Sequence, residues 1–371
     1  MRGMTDRHAS SDHAVDRPAF QAVVLAARTV LSEAEQERLR CLAAGPLDWN
    51  EVVWLTGYHQ VTPLVLRNLE RYVRAAVPGR HLRVLQAETR RIGVQGQFLL
   101  QELGRLMQRF EAAGLPMLVL KGPVIAQVAY GHLGLRAFKD MDILVRPADY
   151  PAVRALLERE EYVPFPQVAE RARWQQWLHR WYVRQVPFMR GVKTFYVDLH
   201  LAPLPALYYF PLDVETLMER GSSESIGRFA VPVPKLEDHL LILCYHGEKN
   251  RWERLKYVCD LAELLRRHED RIDWDEIETV TRRIQGRRIV GMALWLAREL
   301  MDAPVPPALL APVRTSQAVR DLGSELVRRL AEQRDTGLLP FSERVALHWH
   351  LQDSILNKLR YAFFSMVRTM S

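Results

Sequence analysis

The chain has 371 residues, 48% hydrophobic and 26% charged, with a formal net charge of +7, the composition of a folded protein with room for two or three domains. No run of ~18 uncharged apolar residues interrupts it, so a membrane-spanning helix is not expected. The positive excess is spread over dispersed arginines and suits an anionic partner, a nucleotide as well as a nucleic acid.

Met1 to Arg17 is polar, rich in His, Asp and Ser. With no apolar signal core, it reads as a disordered tail of a cytoplasmic protein. Helices follow. Ser32-Glu33-Ala34-Glu35 has the capping-box spacing, and Asp48-Trp49-Asn50-Glu51 repeats it with Asp as the cap. Thr62-Pro63 starts another helix with Pro at its first position, and a long one is expected from about Leu82 to Ala113, ended by Gly114-Leu115-Pro116.

The pattern then shortens. Met117 to Leu120 reads as a strand, Pro123 to about Tyr130 as a helix, Gly131 to Phe138 as a loop, and Met141 to Val145 as a second strand. Pro147 opens a helix through Glu160. Val186–Met189 and Thr194–Leu199 read as two strands joined by a turn at Arg190-Gly191-Val192-Lys193, and Phe229–Val233 as one more. From Lys235 the helical period returns, with Leu236, Leu240, Leu243 and then Leu255, Val258, Leu261, Leu264 and Leu265. Breaks are expected at Pro304-Val305-Pro306-Pro307 and near Leu338-Leu339-Pro340. The apolar stretch Tyr361–Val367 reads as a docking helix or as the edge of a longer chain.

These elements predict an α+β protein: a disordered tail (1–17), an N-terminal helical region (18–113), a small mixed-sheet core (114–234) and a C-terminal helical region (235–371). Cys41, Cys244 and Cys259 are too few and too scattered for a disulfide framework or a zinc site. The last two lie in apolar helical patterns, as buried and inert thiols do.

The chemistry concentrates in the core. Asp140 and Asp142 stand two apart in an apolar run, so a strand points both carboxylates to one face. Such a pair repels itself and resists burial unless a cation sits between the two. A hard divalent ion such as Mg²⁺ suits carboxylate oxygens and also holds phosphates. Asp198, in the apolar run Phe195–Leu199, offers a third carboxylate from a neighbouring strand. Gly122 opens a helix whose amides and dipole favour phosphate. Lys121 adds a cation, and Arg136 either clamps a phosphate or pairs with the carboxylates.

The block Leu120-Lys121-Gly122, Arg136, Asp140-Met141-Asp142-Ile143-Leu144-Val145 and Val197-Asp198-Leu199-His200 resembles the uncharacterised bacterial nucleotidyltransferases of the DNA polymerase β-like superfamily. His246, Trp252, Leu255 and Asp260-Leu261 resemble that family's helical part, and the similarity runs from roughly residue 45 to 300. The resemblance implies a polymerase β-like core in which Asp140, Asp142 and Asp198 hold Mg²⁺, two ions in all. A nucleoside monophosphate then moves from a nucleoside triphosphate, ATP among them, to an acceptor with release of pyrophosphate. Lys121, Gly122 and Arg136 are the implied nucleotide contacts. The chain carries Lys-Gly-Pro where the wider superfamily has Gly-Ser, in agreement with the narrower family.

The acceptor stays open as a small molecule, a protein or RNA, the last two as in toxin-like relatives. A nucleotide- or partner-binding module that keeps the fold without catalysis is the competing class. His200 shares a strand face with Asp198, and His246, Glu248, Lys249 and Asp260 surround a helix junction that either closes over the nucleotide or forms a salt-bridge network. Trp174, Trp177 and Trp181, interleaved with Arg171, Arg173, Arg180 and Arg184, read first as a buried helix face and second as a base-stacking surface.

Overall fold

The structure, a computed structural model, describes residues 17–165, 182–191, 195–208, 210, 213–333 and 348–370. The tryptophan stripe, the break near Leu338–Pro340 and residues 1–16 lie outside the described residues. Arg17 is inside them and forms an ion pair with Glu51.

Helices α1 (Pro18–Ala26), α2 (Glu33–Ala44), α3 (Trp49–His59), α4 (Thr62–Tyr72) and α5 (Gly79–Ala112) form the N-terminal layer. Ser32 caps α2 in a complete capping box with Glu35, and Asp48 caps α3 by accepting from the amides of Asn50 and Glu51. α5 is 34 residues long. Its buried stripe Leu99, Leu103, Leu106 and Phe110 follows the helical repeat and lays the helix along the core.

The sheet follows as β1 (Leu118–Val119), α6 (Pro123–Val128), β2 (Met141–Leu144), α7 (Tyr150–Arg159), β3 (Val163–Pro164), β4 (Gln185–Arg190) and β5 (Phe195–His200). The strand order is β1-β2-β5-β4-β3. β2 and β5 run parallel at its centre and all other pairs are antiparallel, so the sheet is mixed. The expected β4–β5 hairpin forms. Gly131–Phe138 is a loop with a short 3-10 turn at Leu133–Leu135.

Helix α8 (Val214–Arg220) and the hairpin of β6 (Ser222–Ile226) with β7 (Phe229–Val233) come next. β6 was not foreseen because Ser222-Ser223-Glu224-Ser225 has no apolar alternation. Its partner β7 and the left-handed turn at Gly227 (φ +59°) hold it in place.

The C-terminal layer comprises α9 (Leu236–Lys249), α10 (Leu255–Arg267), α11 (Trp274–Arg283), α12 (Arg287–Met301), α13 (Ala311–Thr315), α14 (Gln317–Glu332) and α15 (Ile355–Met370). The expected break at Pro304–Pro307 separates α12 from a 3-10 turn at Pro307–Leu310. α9 turns sharply into α10. Arg251 and Trp252 both take left-handed backbone angles, and the buried Trp252 indole presses on Gly247, where a Cβ would lie 2.2 Å from the ring.

One apolar core runs through all three layers, from Phe20 in α1 through Phe110, Ile143 and Leu199 to Leu261 and Leu296. A small second cluster of Leu118, Leu120, Leu144, Val214, Leu217 and Ile242 adjoins the first strands. Cys244 and Cys259 are buried with thiols pushed up by burial, and Cys41 is exposed. Among the described residues no helix is long and apolar enough to cross a membrane.

Neutral histidines are built into this core. His239 on α9 donates from Nε2 to the carbonyl of Leu120, and the Leu255 amide donates to His59 Nδ1. Burial depresses His239 to about 4 and His59 to about 3. Above pH ~6.5 both are neutral whether folded or unfolded, so their packing contributes in full. As pH falls below ~6.5 only the unfolded chain takes up the protons, and stability is lost. The expected slope is ~1.4 kcal/mol per pH unit for each histidine down toward its folded pKa. Urea unfolding at pH 7 and pH 5 checks this, and equal stability at the two would refute it.

Candidate active site

The centre of the sheet sets the geometry. Parallel pairing puts Asp142 of β2 directly beside Asp198 of β5, and His200 beside Leu144. Asp140 does not lie within the strand, which starts at Met141; it is the residue that leads into it. All three carboxylates line one cleft of about 660 Å³ between the sheet, the α9–α10 turn and the N-terminal helices. Asp142 is 4% exposed, while Asp140 and Asp198 are partly open to the cleft.

β1 delivers the second component. The Leu120 amide donates to the Asp142 carbonyl at 2.9 Å, so Lys121 starts alongside the acidic residues. Its Nζ lies 2.7 Å from Asp142 Oδ1, an oxygen that also accepts from His200 Nε2 at 3.0 Å. Gly122 has φ +66°, and a Cβ there would sit 3.0 Å from the Asp140 carbonyl oxygen, so a side chain is excluded by conformation and by space. The amide-lined phosphate site expected at this helix start is much reduced. α6 has six residues, Pro123 has no N–H, and the amides of Val124 and Ala126 bond to the carbonyls of Lys121 and Gly122.

Arg136 also borders the cleft but is tied back to α10. Its guanidinium, 6% exposed, makes a two-pronged pair with Asp260 of α10, both bonds 2.7 Å, and its Nη1 reaches the Gly122 carbonyl at 3.4 Å. Tyr130 donates to the same carboxylate at 2.8 Å. Of the two roles the sequence left open, pairing is realised, but with Asp260 rather than with Asp140 or Asp142. At the helix junction, Glu248 bonds Tyr208 and His348, so it belongs to a buried network away from the carboxylates. His246 faces the site, with Nδ1 3.4 Å from Lys121 Nζ.

The charges are strongly unequal within the trio. Burial pushes Asp142 up, but Lys121 and the His200 hydrogen bond outweigh it and hold this carboxyl well below the usual range. Asp140 is raised by burial and by repulsion from Asp142, and Asp198, for the same reasons, is pushed up to about 6. Burial pushes His200 and His246 below the usual histidine range, with the nearby lysines acting the same way. Burial and mutual repulsion thus raise two of the carboxyls, while Lys121 and His200 hold the third down.

Sequence reading missed part of the wall. Gln185 of β4 donates to Asp198 Oδ2 at 2.6 Å, and its Oε1 accepts at 3.2 Å from Lys249 of α9, a residue the sequence did single out at the helix junction. Lys256 of α10 borders the cleft, donates to Gln60 Oε1 at 2.6 Å, and is depressed to about 8 by burial and then by Arg136. Lys139 and Arg254 also face the cleft, so its cations outnumber its carboxylates. The helical period of α9 and α10 placed Lys249 and Lys256 on helices, without showing which turn meets the sheet.

A family of uncharacterised nucleotidyltransferases matches residues 45–302, from just before α3 to the end of α12. The chain belongs to this family. No curated protein matches it. The matched span contains every residue lining the cleft and leaves out α1, α2 and everything from α13 onward.

The trio's fit to a metal can be judged from its own geometry. Among the described residues no three acidic, histidine or cysteine side chains are gathered closely enough to hold an ion as they stand, and Lys121 occupies Asp142. The donor set nonetheless has the right chemistry for a hard divalent cation: three carboxylates on one cleft wall, two of them raised by crowding. Lys121 supplies the charge that such an ion would otherwise bring.

Proposed function

We propose that the protein is a Mg²⁺-dependent nucleotidyltransferase that moves a nucleoside monophosphate from a nucleoside triphosphate to an acceptor hydroxyl, releasing pyrophosphate. The observation that carries this is the side-by-side register of Asp142 and Asp198 at a cation-rich cleft, with Asp140 leading into the same strand. Asp140, Asp142 and Asp198 would hold Mg²⁺, which when bound supplies positive charge to the phosphates.

The other groups act by position. Gln185 holds one oxygen of Asp198, which leaves the second to accept the proton of the attacking hydroxyl. The hydroxyl oxygen forms its bond to the α-phosphorus as the bond to the pyrophosphate oxygen breaks. Lys121, Lys139 and Lys256 meet the charge of the triphosphate and of the leaving pyrophosphate. Arg136 supports the turn at Gly122 through its pair with Asp260 at the edge of the cleft. The cation-rich wall suits an anionic ligand and leaves the acceptor class to experiment, whether small molecule, protein or RNA.

The test is equilibrium binding of the four labelled ribonucleoside triphosphates, with and without Mg²⁺, to wild type and to Asp140→Asn/Asp142→Asn. Binding that needs Mg²⁺ and falls at least ~10-fold in the double variant is expected. Binding indifferent to both Mg²⁺ and the substitutions would instead identify a non-catalytic nucleotide-binding module.

A further inference from the structure

We infer that Lys121 is the resting counter-ion of Asp142 and passes to the nucleotide's phosphates when the divalent cation arrives, so that cation and nucleotide bind together rather than singly. The inference rests on the nucleotidyl-transfer reading of the cleft and adds an order of binding to it.

The geometry of one oxygen carries the argument. Asp142 Oδ1 accepts from Lys121 Nζ at 2.7 Å and from His200 Nε2 at 3.0 Å. A divalent ion held at Asp142 Oδ1 would meet a positive ammonium at contact distance, and two cations cannot share that oxygen in a buried site. Lys121 must therefore leave for the ion to enter. The backbone at this point does not yield: the Leu120 amide is bonded to the Asp142 carbonyl, and the Gly122 carbonyl receives Arg136. Movement belongs to the four-carbon stem, which borders the open cleft.

The ammonium also needs somewhere to go. Its second contact, His246 Nδ1, lies at 3.4 Å and cannot replace a carboxylate. The neighbouring cleft groups Lys139, Lys249 and Lys256 repel it. A triphosphate in the cleft provides the missing anion, and the cation takes Lys121's place on Asp142 in the same event. Each ligand alone therefore works against an ion pair already made, and the two together relieve each other.

Mn²⁺, followed by the electron paramagnetic resonance of the free ion, tests this with and without the non-hydrolysable α,β-methylene analogue of ATP. In wild type, Mn²⁺ alone should bind weakly, and the analogue should tighten it by about tenfold or more. Lys121→Met should bind Mn²⁺ alone about tenfold or more tighter than wild type, yet bind the Mn²⁺–analogue complex more weakly. The opposite signs are diagnostic, because a purely structural Lys121 would lower the melting temperature and weaken both ligands together. That outcome would overturn the inference, as would wild-type Mn²⁺ binding that ignores the analogue. Lys121→Gln replaces the Met variant if the latter does not fold, and the wild-type arm decides without any variant. If no form binds Mn²⁺ with or without the analogue, the nucleotidyl-transfer reading fails and this inference fails with it.

Discussion

Replacing Asp260 by alanine is expected to destabilise the fold by about 3–5 kcal/mol, because it strands a charge in the interior. Asp260 is 1% exposed and Arg136 6%, and their two 2.7 Å bonds join the loop before β2 to helix α10. With Asp260 gone, the guanidinium retains a single 3.4 Å contact to the Gly122 carbonyl, and Tyr130 loses the acceptor of its hydroxyl. Urea unfolding of Asp260→Ala measures the effect directly. The double variant Asp260→Leu/Arg136→Met should recover much of the loss, since removing both charges also removes the desolvation that they require. A single-variant loss below about 1 kcal/mol, typical of a surface ion pair, would show that the pair does not anchor the two layers.

Replacing Asp198 by asparagine is expected to reduce turnover by about 10²–10⁴-fold while leaving the fold intact, the range for loss of a general base. The substitution keeps the shape and lets the asparagine oxygen go on accepting from Gln185, but it removes the second oxygen, the one that takes the acceptor's proton. Pyrophosphate release in the presence of the acceptor, once the binding experiment has identified the nucleotide, provides the measurement. An unaltered rate would move the proton to another group and leave Asp198 with a structural task.

The strands and their carboxylates were legible from a short stretch of chain. Met141–Leu144 and Phe195–His200 are apolar runs with an acid that burial would not otherwise tolerate, and the structure sets Asp142 beside Asp198. The strand starts at Met141 as expected, so Asp140 stands just ahead of it rather than on a strand face shared with Asp142. Arg136 was ambiguous for a physical reason: an arginine near two aspartates has partners at hand, and the competing one lies 124 residues further along. Lys256 and Gln185 were not visible because nothing local distinguishes them from solvated polar residues, whereas Lys249 was picked out only as one of four groups at a helix junction. Their significance comes from the packing of α9, α10 and β4 around one point.

The parallel pairing of β2 with β5 also has a consequence for the order in which the molecule comes into being. A hairpin assembles as soon as its two arms exist, whereas Asp142 must wait 56 residues for Asp198, and Arg136 must wait for Asp260. On the ribosome, the first two of the three carboxylates therefore emerge long before the residues that complete the site. Nascent chains stopped short of α10 would carry Arg136 without its counter-charge, and assembly of the cleft becomes a late event in synthesis, completed when α10 docks.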